Sequence, residues 1–226
     1  MSRGNRVRWL LSGVGQVMIT AGVILLLFVV YELKLTNLYT DGQQRDLGRT
    51  LDRTWAAPPP KNVLAAYHEG EGIARIYLPT LGAKQVHVVV EGVGREDLKK
   101  GPGHYPGTDL PGALGNMVIS GHRTTYGAPF NRLDEIRIGD PIVIETRSAF
   151  FTYRAIKSFV VAPTAVGETN HVPNQPGVVP TQRLLTLTTC NPKYSARTRL
   201  VVRALLESAL PKGPGVVPPA LVPGRA

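Results

Sequence analysis

Residues 183–207 read RLLTLTTCNPKYSARTRLVVRALLE. The first seven are nearly all apolar or threonine, the composition of a strand covered on both faces and central to a sheet. Cys190 closes that run and is the only cysteine in 226 residues. Residues 197–207 are again rich in β-formers, with Arg197, Arg199 and Arg203 spaced so that a regular strand turns all three to one face. A solvated basic face is the plain reading of those arginines, and a small core thiol the plain reading of Cys190. The alternative is a nucleophile held at a strand end.

Outward from this stretch the chain is mostly strand. IARIYL (73–78) and QVHVVVE (85–91) are short and β-branched, with Pro79 and Gly82 in the turn between them. GNMVISG (115–121), PIVIET (141–146) and FFTYRAIKSFVVA (150–162) read the same way. Helical pieces are short, GREDLKK (94–100) and APFNRLDEI (128–136). About seven or eight such strands with Gly/Pro turns predict an all-β closed barrel or sandwich.

The N-terminus carries a different signal. Residues 9–31 hold no charged residue and would span roughly 34 Å as a helix, enough for a hydrocarbon core of about 30 Å. Arg3, Arg6 and Arg8 precede it, which places residues 1–8 in the cytoplasm and everything after Tyr31 outside. A cleaved signal peptide is the rival, but YELKLTNLYTDG offers no small-x-small cleavage site. An uncleaved single-pass anchor is the better reading. Residues 32–60 then read as a polar juxtamembrane linker, helix-compatible over 32–57 and ending at Pro58–Pro60, and 61–210 as the folded extracellular domain. In residues 211–226, eight of sixteen are Pro or Gly, which predicts a disordered tail.

The formal charge of +10 is compatible with an anionic envelope, but the basic residues are scattered and no nucleic-acid motif accompanies them. No nucleic-acid partner is expected. A lone thiol outside the membrane has no intramolecular partner, which favours a use for it. A nucleophilic cysteine needs a histidine. Among the five histidines, His87 lies mid-strand, His68 and His171 lie in turns, and His104 sits in the loop GPGHYPG. His122, in SGHRTTYG, follows a buried strand at the point where it stops, as Cys190 does.

TLTTC followed by NPKYSARTRLVV resembles the active-site strand pair of the sortases, the membrane-anchored cysteine transpeptidases of Gram-positive bacteria. GNMVISGHRTTYGAPFNRLDEIRIGDPIVIET resembles their histidine segment, and GPGHYPGTDLPGALGN with TLTTCNP is similar to the actinobacterial class E branch. The resemblance covers about residues 72–207 and implies a sortase-like closed β-barrel. It implies a catalytic His122, a nucleophilic Cys190 and an oxyanion-stabilising Arg199, with Arg197 and Thr189 as secondary candidates for substrate binding. It demotes His104 to a loop residue near the site.

The implied reaction joins a surface protein, cleaved between Thr and Gly of an LAxTG- or LPxTG-like C-terminal sorting motif, to an amine of a lipid-linked peptidoglycan precursor. No cofactor or metal is implied. Residues 61–72 lack the Asp-Pro-aromatic lid of pilin-polymerising sortases, which weakens a polymerase reading. Two rivals are a cysteine protease of the same fold using water as acceptor, and a non-catalytic membrane-tethered binding module.

Overall fold

A computed structural model describes residues 3–58 and 67–222. Pro59, Pro60, the expected domain boundary at residue 61 and the last four residues of the tail lie outside the described residues, as does the first half of the 61–72 stretch. The described strands close into one eight-stranded barrel. They are β1 (Gly72–Tyr77), β2 (Val86–Glu91), β3 (Gly103–His104), β4 (Gly115–Ser120), β5 (Pro141–Glu145), β6 (Ala149–Val161), β7 (Arg183–Asn191) and β8 (Thr198–Pro211). Around the barrel they run β1-β2-β3-β4-β7-β8-β6-β5, and β5 closes on β1. The closed β-barrel expected from the sequence is the fold observed.

Alternation along each strand fills the interior. Ile76, Val89, Met117, Ile119, Ile142, Ile144, Tyr153, Leu185, Leu187 and Val202 point inward and form one core with Phe130 and Leu133 from the loop after β4. Burying each such side chain contributes roughly 1.5–3 kcal/mol. Strand β3 has only two residues, and GPGHYPG gave it no β signature. Its Gly103 lies so close to the Gly92 carbonyl that a Cβ there would sit 2.1 Å from the oxygen, so only glycine allows this pairing. The expected helix at 94–100 forms as α2 (Arg95–Lys100), whereas 128–136 forms only a 3-10 turn over Leu133–Glu135.

One helix, α1 (Arg3–Ala56), carries the N-terminal region, and its apolar residues Leu11 to Tyr31 are uncovered by protein. By length and composition it is sufficient to cross a membrane. Past the apolar segment the chain stays helical to Ala56 and docks on the barrel. Thr40 is buried and donates to the Lys99 carbonyl (2.8 Å). Gln44 donates to the carbonyls of Val88 (3.0 Å) and Lys100 (2.8 Å) and accepts from the Val88 amide (2.7 Å). Leu51 is buried, and Asp52 pairs with Arg75 at 2.7 Å. Leucines 38, 47 and 51 are too few to form a core, so the polar side chains supply most of this docking. They read in sequence as solvated.

The tail also departs from the expectation of disorder. Strand β8 runs to Pro211, past the expected limit at Leu210, and Pro219–Leu221 makes a 3-10 turn with Ala220 buried. Prolines remove donors and so prevent a ladder, but they do not prevent packing. Leu221 and Val222 line a cavity of about 400 Å³ with Tyr77, Leu78 and Val86.

Candidate functional site

Strands β4 and β7 run parallel, with Val118 beside Thr186 and Ser120 beside Thr188. The Gly121 amide donates to the Thr188 carbonyl (3.1 Å) and carries the ladder one step further. Two residues beyond Ser120 comes His122, and two beyond Thr188 comes Cys190. Were the strand alternation to continue past the end of β4, both would fall at one level on neighbouring strands, which lie about 4.8 Å apart, and on the face opposite the core. Strand β8 runs antiparallel to β7 and places Arg199 directly opposite Cys190. Directly opposed residues share a face with Cβ atoms about 4.5–5.5 Å apart. Cys190 and Arg199 are thus cross-strand partners, and His122 follows two residues after the end of β4, the parallel neighbour of β7.

Each is held by its own local structure. The turn into His122 depends on Gly121, where a Cβ would lie 2.7 Å from the Phe130 ring. The His122 carbonyl accepts from the Phe130 amide (3.1 Å), and its ring lies 5.0 Å from that of Tyr126. Half-buried there, the imidazole is lowered from its ordinary pKa by desolvation, which favours the neutral ring. Cys190 is half-buried at the end of β7. Arg199 is fixed by bonds from Nη1 to the carbonyls of Ala196 (3.0 Å) and Thr198 (3.1 Å). A groove beside it, about 120 Å³, is lined by Tyr105, Val118, Thr186, Thr188 and Val201, with Val161 to Thr169 as its far wall.

That wall is pinned from below. Asn116, fully buried on β4, donates to the carbonyls of Glu168 (2.9 Å) and Asn170 (3.1 Å) and accepts from Thr186 (2.7 Å). The buried carboxylate of Glu168 pairs with Arg203 and accepts from Asn174 (2.7 Å).

Thr189 faces the other way from Cys190. It is 1% exposed, and its hydroxyl donates to the Gly121 carbonyl (2.7 Å). Strand alternation gives the groove face to Thr188 instead, and Thr189 ties β7 to the turn that follows β4. Arg197 is exposed and precedes the first residue of β8, so it does not share the strand face expected for it. Arg203 shares that face, but Glu168 occupies it. His104 is buried in β3, where Nδ1 meets Glu91 at 2.8 Å and Nε2 meets Thr108 at 2.9 Å, as a structural residue would be.

Sequence reasoning missed Arg123, Asn116 and Glu168. Arg123 stood in the quoted G-H-R, and nothing in its spacing marked a buried guanidinium.

The closed barrel carries Cys190 and Arg199 as cross-strand partners, beside the strand that leads to His122. The chain belongs to the sortase family: the Sortase domain profile matches residues 76–207. It is 34% identical to sortase SrtE1 of Streptomyces coelicolor over 92% of this chain. The alignment takes in 60% of that relative, so the chain spans less than two thirds of its length. Among solved structures, sortase E from Streptomyces avermitilis matches with 40% identity and a TM-score of 0.62, covering 69% of this chain and all of that one. Sortase E1 from S. coelicolor, solved with a tripeptide in its active site, matches at 34% identity and a TM-score of 0.62 over 70% of this chain and all of that one.

Proposed function

We propose that this sortase is a class E-like cysteine transpeptidase that anchors surface proteins to the cell wall. The observation that supports it best is the register of β7 and β8, which pairs Cys190 with Arg199, beside β4, the strand that leads to His122. In this reading Cys190 attacks the carbonyl between Thr and Gly of an LAxTG- or LPxTG-like sorting motif. Arg199 and a backbone N–H stabilise the oxyanion. His122 gives its proton to the departing glycine amine, which leaves a thioester on Cys190. An amine of a lipid-linked peptidoglycan precursor attacks that thioester, His122 takes the amine proton, and Cys190 leaves as the thiolate. The thioester conserves the energy of the cleaved peptide bond, so no ATP and no cofactor are needed.

Burial gives His122 a particular character here. Its protonated form is scarcer than that of a free histidine but a stronger acid, which suits donation to an amine leaving group. Residues 9–31 serve as a single-pass anchor with the N-terminus cytoplasmic and the barrel outside, beside membrane-held substrates.

The test is to incubate the full chain in detergent with quenched LAxTG and LPxTG peptides, with and without a diaminopimelate-type amine. Cleavage that diverts to an amide product, is lost in Cys190→Ala and His122→Ala, and falls about 10²–10³-fold in Arg199→Ala supports the reading. Cleavage unchanged in Cys190→Ala sinks it. Hydrolysis that no amine diverts makes the chain a protease.

A further inference from the structure

Arg123, the residue after His122, is 4% exposed and reaches across to the strand that carries Cys190. Its Nη1 donates to the Cys190 carbonyl (3.3 Å) and to Asn191 Oδ1 (2.8 Å). Its Nη2 pairs with Asp134 at 3.0 Å, a carboxylate that is itself nearly half exposed. The Arg123 carbonyl accepts from Asn131 Nδ2 (2.7 Å), which fixes the loop backbone directly after His122. Asn191 passes the connection on: its Nδ2 donates to Thr198 Oγ1 (3.1 Å), and that hydroxyl donates to the Asn191 carbonyl (2.8 Å). Thr198 opens β8 and precedes Arg199. One guanidinium therefore links the loop of His122, the backbone of Cys190 and the start of the strand bearing Arg199.

Burying a guanidinium is costly, and its Nε has no hydrogen-bond partner among the described residues. A hydrophobic side chain of similar volume would fill this space at lower cost. What it could not do is grip a carbonyl and an amide oxygen with one nitrogen and a carboxylate with another. That planar fork is particular to arginine, and a lysine reproduces only part of it.

We propose that Arg123 is a positioning residue for acyl transfer, which sets the relative placement of Cys190 and His122. The proposal rests on the transpeptidase reading, because it takes these two as the reacting pair. A displacement of about 1 Å in such a pair can cost about 10²-fold in rate.

The experiment has two readouts on the full chain in detergent. In the peptide assay, Arg123→Gln is expected to lower kcat by about 10²-fold with KM within about threefold, and Arg123→Lys to recover about tenfold of the loss. An unchanged kcat in a folded Arg123→Gln chain overturns the proposal. The second readout needs no turnover. Cys190 is the sole cysteine, so iodoacetamide reports on it alone, and a well-placed His122 accelerates its alkylation at pH 7. His122→Ala should slow alkylation at least about fivefold in the wild-type background and less than about twofold in Arg123→Gln, because the base is then already out of place. An equal factor in both backgrounds overturns the proposal. Should Arg123→Gln not fold, the same comparison in Arg123→Lys decides it, with an intermediate factor expected and an undiminished one refuting. If the wild-type chain cleaves no peptide, the transpeptidase reading fails, and the alkylation cycle still judges Arg123.

Discussion

Replacing Gln44 with alanine tests whether the polar face of α1 holds the barrel. Alanine is the strongest helix former, so the helix itself should survive. What is lost is a pair of bonds to Val88, one to its carbonyl and one from its amide, and a third to Lys100. Strand β2 pairs with β3 only at Val90 and Glu91. Beyond that point its edge is open, and the Gln44 amide supplies the donor and acceptor that a neighbouring strand would supply. Each bond contributes about 0.5–1.5 kcal/mol net, so the three together contribute about 1.5–4.5 kcal/mol, with the lower end favoured because water can reach an opened edge.

At 1.4 kcal/mol per factor of ten, the Val88 amide should exchange its hydrogen about 10- to 100-fold faster in Gln44→Ala. Val90 is the internal control, since its amide bonds to the Pro102 carbonyl (2.9 Å) and owes nothing to α1. Val88 acceleration below twofold would refute the docking argument. Equal acceleration at both positions would show instead that the whole sheet had loosened.

Burial pushes His87 down to about 4, so between that value and the ordinary 6.5 the unfolded chain binds the extra proton and stability falls as pH drops through this window, by at most about 3 kcal/mol. Urea midpoints at pH 7 and pH 4 should show this, and His87→Gln should flatten the slope. Asn116→Leu strands the Thr186 hydroxyl and two loop carbonyls, so urea unfolding should register a loss of about 2–4 kcal/mol, and peptide KM should rise as the groove wall loosens. Gly121→Ala drives a methyl into the Phe130 ring; calorimetry should show about 1–3 kcal/mol of overpacking cost, and kcat should fall more than KM rises because His122 moves with the turn.

The strands were legible because β-branched runs between Gly and Pro leave few other choices, whereas the parallel pairing of β4 with β7 was not written in either run. The site was legible in its parts for the same reason: His122 and Cys190 each stand where an apolar run stops. Its second layer was not. Arg123, Asn116 and Glu168 are polar residues whose burial follows from partners 35 to 70 positions away, and composition assigns such residues to the surface. Thr189, a secondary candidate in the sequence, is buried, because strand alternation turns it to the face opposite that of Cys190. Strand β3 escaped notice because two residues carry no period.

The unbroken course of α1 has a consequence for how this barrel works at a surface. A slack tether would let it sweep a hemisphere at any height and tilt. This helix has no hinge between its apolar part and its docked part, and Asn37, about 9 Å of helix beyond Tyr31, accepts from the Gly127 amide in the loop that carries His122. In the proposed anchored state, the altitude and heading of the rim that bears Cys190 and Arg199 become properties of helical pitch. One residue inserted between Tyr31 and Asn37 would swing the rim by about 100°, whereas seven would lift it about 10 Å and return it to nearly its original bearing.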